Sequence, residues 1–300
     1  MASTPSLAAR DLPSRRAGAA SSGDRIFAAL CTGAGVFVLI LLGAIIVELF
    51  IGGWPVFKAM GVGFVWGDNW DPVAEEFGAL VPIYGTIITS ILALLLAVPV
   101  AFGIAYFLTE IAPLPMRRPV GTAVELLAAV PSIIYGLLGL ALFINWMHLP
   151  RASPLVGGLV LALMALPTII IATRSSLKAV PPSIREAALA MGASKTQTVF
   201  QHTLPLAMPG VMTGAIISMA HALGETAPLL LIGMVSFIPG IPSAIGEPSG
   251  ALPSLVYIWE NASERAFHER TAAAILVLLA FMIVMNAAAI FLRRRFERRW

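Results

Sequence analysis

Three carboxylates and one imidazole stand inside runs of apolar residues: Glu48, Glu125, Glu225 and His221. An ionisable group is costly in hydrocarbon, so it faces a pathway, a partner or the interface. Glu225 and His221 lie four residues apart in Ala220-His221-Ala222-Leu223-Gly224-Glu225-Thr226. On a helix that spacing puts both on one face. A carboxylate, an imidazole and the Thr226 hydroxyl can line a polar path; the plainer alternative is a carboxylate satisfied by a neighbouring helix. Imidazole ordinarily titrates at about 6.5, so any charge on His221 is conditional. Ser218 stands three residues before His221. A serine and its base at that spacing on one helix make no nucleophile elbow, so an intramembrane enzyme is not indicated. Glu125 is expected to pair with Arg117 or Arg118, and Glu48 to snorkel toward the outer interface. His148, His202 and His268 are dispersed and Cys31 is the single cysteine, so no metal, cofactor or disulfide is expected. No G-x-x-x-x-G-K-[ST] loop is present to cradle nucleotide phosphates.

The elements that position these groups are membrane helices. Of 300 residues only 12% are charged and 58% are hydrophobic, too few charges to cover a soluble domain of this size. Six stretches are long and apolar enough to span: 26–51, 82–108, 121–146, 155–173, 207–235 and 271–292. Lipid offers backbone groups no partners, so the spans are expected to be helices and the fold class all-α integral membrane. Residues 1–25 read as a disordered cytoplasmic tail, 26–292 as a transmembrane domain and 293–300 as a basic cytoplasmic tail. With the N-terminus inside, fifteen of the 19 Lys and Arg residues fall on the cytoplasmic side. That bias sets the orientation, with both termini cytoplasmic in a multi-pass protein. Trp66, Trp70, Trp146 and Trp259 fall near outer interfaces, as anchoring residues do. Residues 252–259 form a segment that dips into the membrane or lies on it. Gly210 and Gly214 have the spacing of close helix packing, and the span that carries them is a candidate to line an interface with a second subunit. Pro99, Pro131 and Pro167 are expected to kink spans two to four, with Ser132 and Tyr135 beside the path.

The cytoplasmic loop 174–206 is ordered like a device. Pro181-Pro182 stops what precedes it, and Ser183 with Glu186 has capping-box spacing, which predicts a helix start there. Good helix formers continue to Met191, and Gly192 is placed to end the helix in a left-handed turn. Ser194 and Gln197 predict a second cap and a second short helix carrying Val199 and Phe200. Pro205 and Pro209 mark the return to the bilayer. A rigid elbow with a small-residue face can fit a groove on another protein and pass force to the adjoining spans. A loop that merely connects two spans is the alternative.

Glu186-Ala187-Ala188, then Gly192, then Leu204-Pro205 resembles the EAA loop of type-I ATP-binding-cassette importer permeases. Leu166-Pro167-Thr168-Ile169-Ile170, Arg185-Glu186-Ala187-Ala188-Leu189-Ala190-Met191-Gly192-Ala193 and Ala222-Leu223-Gly224-Glu225-Thr226-Ala227-Pro228 resemble the phosphate-specific permeases of that family. Residues 77–110 look more like the C-type subunit and residues from 155 onward more like the A-type. The resemblance implies six spans in the MetI-like fold and a permease that moves inorganic phosphate across the cell inner membrane. It implies a second permease, two ATPase subunits docked on Arg185, Glu186, Ala187, Ala188 and Gly192, and a periplasmic phosphate-binding protein. It places His221, Glu225 and Thr226 on the translocation path. The family position matching His221 is usually arginine, so this chain departs there. Sulfate or molybdate importers are close variants. An ion-coupled secondary transporter should show inverted repeats, which are absent from the sequence, and a passive channel leaves the elbow unexplained.

Overall fold

The computed structural model describes residues 22–68, 70–71, 76–235, 238, 240–262 and 265–296. The tail before Ser22, Glu75, Pro239, Glu264, Arg298 and Arg299 lie outside them. The chain divides into two units, residues 1–48 and 49–300. The described part of the first unit belongs to helix α1 (Ser22–Met60), apolar all round, with Phe27, Leu39 and Ile40 exposed. A helix with no polar face suits a lipid-facing span. At 39 residues it extends about 58 Å, well beyond the hydrocarbon thickness and beyond the predicted 26–51.

The second unit holds the rest. A short helix α2 (Gly63–Trp66) precedes an antiparallel strand pair, β1 (Trp70–Asp71) and β2 (Glu76–Phe77). Then follow α3 (Leu80–Tyr106), α4 (Leu114–Ala128), α5 (Ser132–Gly139), α6 (Pro154–Ala179), α7 (Pro182–Ala190), α8 (Lys195–Gln197), α9 (Leu204–Gly224), α10 (Ala227–Leu231), α11 (Leu252–Glu260) and α12 (Arg265–Phe296). Phe107–Ile111, Leu140–Trp146 and Thr198–Thr203 are π-helical turns continuing α3, α5 and α8. Among the described residues five helices are long and apolar enough to cross a membrane, and six if the bent pair α4–α5 counts as one span.

Small residues place the central helices. Ala93, Ala97, Ala101 and Ala105 form a buried stripe on α3, which makes its broadest contact with α6. A Cβ on Gly157 or Gly158 of α6 would meet Thr89 or Leu92 of α3 at 2.5 and 2.7 Å. Helices approach this closely only where side chains are absent. Gly210 and Gly214 do the same between α9 and α6, where a Cβ on Gly214 would stand 2.5 Å from Ala172 Cβ. The glycine pair therefore packs span five against span four inside this chain, the close packing that its spacing predicts.

Two predicted spans are broken. The third bends by 94° between α4 and α5, at Pro131. The Leu127 carbonyl, near this break, accepts from the Tyr135 hydroxyl at 2.7 Å, so Tyr135 is a buried structural residue. The fifth ends at Gly224 instead of 235, because Pro228 has no N–H to offer the Gly224 carbonyl. Pro99 and Pro167 stay within continuous helices. The segment 252–259 becomes α11, seated in the protein: the Leu252 N–H donates to Thr86 Oγ1 of α3 at 2.8 Å. Trp259 is 2% exposed and belongs to the core with Leu252, Leu255, Ala273 and Ala274, so it is no interfacial anchor, whereas Trp66 and Trp146 are exposed.

Candidate functional site

Two regions carry the residues singled out by sequence. The first is the elbow after α6. Its helix α7 starts at Pro182 with Pro181 as the cap and no side-chain capping bond. Proline fits the first turn because it needs no hydrogen-bond partner there, so the Ser183–Glu186 box predicted from spacing does not form. The far end follows prediction. Gly192 has φ +87°, its N–H donates to the Leu189 carbonyl at 3.0 Å, and the Ala193 N–H reaches the Ala188 carbonyl at 3.1 Å. This closure satisfies the last carbonyls and uses the left-handed conformation that glycine tolerates. Ser194 and Gln197 form the second capping box, with Gln197 Oε1 accepting from the Ser194 N–H at 2.9 Å and Ser194 Oγ from the Gln197 N–H at 3.2 Å. The helix it starts is not short. It runs through the π turn into α9, making one helical rod from Lys195 to Gly224.

On α7, Ala188 is buried while Glu186, Ala187 and Leu189 are exposed, as are Met191 and Gly192 just beyond it. Met191 is 89% exposed. Beside it a cleft of ≈ 590 Å³ is lined by Ile184, Ala187, Met191, Gly192 and Gln201, among others. Arg185 does not share this exposed face. Its guanidinium pairs with Glu110 at 2.6 Å (Nη1 to Oε1) and donates to the Leu177 carbonyl at 2.9 Å. Sequence reading missed Glu110, which lies 75 residues from its partner; its one signal was a lone carboxylate at the end of an apolar run. Glu125 pairs with Arg174 at 3.8 Å, not with Arg117 or Arg118, and Arg117 Nε instead donates to the Ala112 carbonyl at 2.7 Å. Glu125 and Arg174 lie near the ends of different spans, whereas Glu110 ends the second span and Arg185 lies on the elbow helix.

The second region is the break after α9. His221 lies in the last turn of α9 and is exposed. Glu225 is extended (φ −72°, ψ 130°) and Thr226 caps α10, both half-buried. Because the helix stops between His221 and Glu225, their shared-face spacing does not apply. Among the described residues no hydrogen bond or ion pair joins them. Ser218 is buried, and its hydroxyl has no partner among the described residues. His148, His202 and His268 are exposed, and His268, on α12 and not on a loop, stands 3.5 Å from Glu260.

Comparison with known proteins follows this geometry. Residues 114–300 match the family model described as binding-protein-dependent transport system inner membrane component. The chain is 38% identical over 276 residues to the phosphate transport system permease protein PstC of Pasteurella multocida, covering 83% of this chain and 84% of that protein. Its fold is similar to that of a bacterial alginate transporter solved with a pentasaccharide-bound periplasmic protein, with TM-score 0.65 and 17% identity over 91% of this chain and 95% of the other. It also resembles the inward-facing MetNI methionine transporter, with TM-score 0.53 and 20% identity over 71% and 92% of the two chains.

Proposed function

The chain belongs to the family of binding-protein-dependent transport system inner membrane components, and we propose that it is the permease subunit of an ATP-driven importer of inorganic phosphate. It is a multi-pass membrane protein with the MetI-like importer fold, and ATP hydrolysis belongs to separate subunits. The observation that carries the reading is the elbow. It is a nine-residue helix followed by a glycine closure and a second cap, with Glu186, Ala187, Leu189 and Met191 bare to solvent. A surface this rigid and this bare is suited to receive another protein and to move as one body with the spans behind it. The relative's similarity supports phosphate as the substrate and the C-type subunit as the counterpart.

In this reading one of two ATPase subunits grips the elbow through Glu186, Ala187 and Gly192, with the buried Ala188 backing that face. A second permease completes the path, and a periplasmic phosphate-binding protein delivers the anion. The permease domain covers residues 26–292, with the coupling loop at 174–206 and cytoplasmic tails at both ends; the excess of Lys and Arg on that side supports the orientation. His221, Glu225 and Thr226 line the path at the break after α9. That His221 and Glu225 have no partner among the described residues supports this role, since an ionisable group in a membrane is kept for a ligand or a partner. His221 supplies a hydrogen-bonding face beside a carboxylate that would otherwise repel the anion.

Radiolabelled phosphate uptake tests the reading, in cells lacking their own transporter and given this chain with its partner permease, ATPase and binding protein. ATP-dependent uptake that ignores excess sulfate and molybdate is the expected result. Competition by either anion would change the substrate and keep the importer. No uptake from a correctly assembled complex would overturn the proposal.

A further inference from the structure

The exposed face of the elbow accounts for docking but not for how motion leaves it. We propose that the Arg185–Glu110 ion pair is the strut that carries the elbow's displacement into the second span, which makes both residues positioning residues for coupled transport. This rests on the importer reading above.

One guanidinium joins three segments. Arg185 belongs to α7, its Nη2 donates to the Leu177 carbonyl near the end of α6, and its Nη1 meets Glu110 on the π turn that ends the second span. The two side chains are 25% and 18% exposed. A charge-assisted contact with this shielding is stronger than an open surface pair, and losing one partner strands the other charge in a partly dry site. A second contact lands on the same span end: the Phe200 ring lies 5.5 Å from Tyr106 and 6.3 Å from Phe102. Phe200 itself sits on the π turn that follows the elbow.

The location distinguishes a strut from a simple fastener. Each contact has one end on a π turn, Glu110 on the one that ends the second span and Phe200 on the one that follows the elbow, where the regular hydrogen-bond ladder is interrupted and a helix can bend or slip. The bond to Leu177 makes Arg185 move with the end of α6 as well as with α7. Glu110 receives that movement on α3, which lies along α6 through the stripe of alanines and glycines. A push on the elbow is therefore delivered to the second span at one ionic point, braced by one aromatic contact.

The test uses the complete importer in proteoliposomes with its binding protein and external phosphate. It reads phosphate taken up per ATP hydrolysed, and the amount of ATPase subunit retained. The variants are Glu110→Lys, Arg185→Glu, the two together, and Arg185→Lys. Each reversal is expected to keep its ATPase but to lower uptake per ATP by about tenfold, while the double variant returns to within about threefold of the parent. Arg185→Lys is expected to fall between. A double variant no better than the poorer single one, with ATPase still bound, would overturn the proposal. So would single variants that keep the parental ratio, or that lose ATPase, hydrolysis and uptake in proportion, since the pair would then be an anchor only. A parent importer that neither takes up phosphate nor responds to binding protein would overturn the importer reading and this proposal together. Normal parental turnover beside indifferent variants would overturn the proposal alone.

Discussion

The elbow at 174–206 and the break after α9 differ in how their polar groups are treated. At the elbow the Ser194–Gln197 capping box, the glycine closure and the Arg185 guanidinium find partners within the chain, although Arg174 Nε and Thr198 Oγ1 of the same segment are buried with none among the described residues. At the break, His221 and Glu225 find none among the described residues, and the Ser218 hydroxyl one turn earlier is buried unmet. Satisfied polar groups make a region rigid, whereas unsatisfied ones are retained at a cost that folding alone does not explain. The capping box, the glycine closure and the ion pair hold the elbow's shape, whereas His221 and Glu225 are left to a ligand in the reading proposed above.

Substitutions at the two regions should therefore fail in different ways. The largest effect is expected from filling the bare face of the elbow. Ala187→Trp should weaken retention of the ATPase subunit by tenfold or more, roughly 1.4 kcal/mol or above, while the permease still inserts and folds. Co-purification with the ATPase measures it, and undiminished retention would mean that this face is not the docking surface. Next comes His221→Ala, expected to lower phosphate uptake by roughly threefold to tenfold with the complex fully assembled. Uptake at the parental level would remove His221 from the path and weaken the contrast. The smallest effect belongs to Ser194→Ala, which removes the acceptor for the Gln197 N–H. It should cost about 1 kcal/mol of local stability. Hydrogen exchange at residues 195–198 should rise while the break is unchanged; equal loosening at both regions would show that they are not independent.

Legibility also divided between the regions. The Ser194 box and the Gly192 closure follow from residues within five positions of one another, and both form as read. The Ser183 box fails for an equally local reason, because Pro181-Pro182 already supplies the start. The glycine pair at 210 and 214 announced close packing but not with what, since the partner surface is Ala172 and Ser176 of another span. Glu110 and Glu125 each stood out as a carboxylate in or at the end of an apolar run, but nothing local named Arg185 and Arg174 as their partners.

Composition, apolar length and the placement of basic residues were enough to require helices that cross a membrane, because lipid leaves the backbone no other partner. The elbow's beginning and end were likewise set by nearest neighbours along the chain. Which helix meets which, that Trp259 is core and not anchor, that span five stops at Gly224, and that Arg185 clasps Glu110 depend on residues tens of positions apart. Those contacts exist only once the spans pack. Hydropathy is nearly the same on every side of such helices, so the choice of facing partners falls to the fit of small residues and to buried charge, which a linear pattern does not encode.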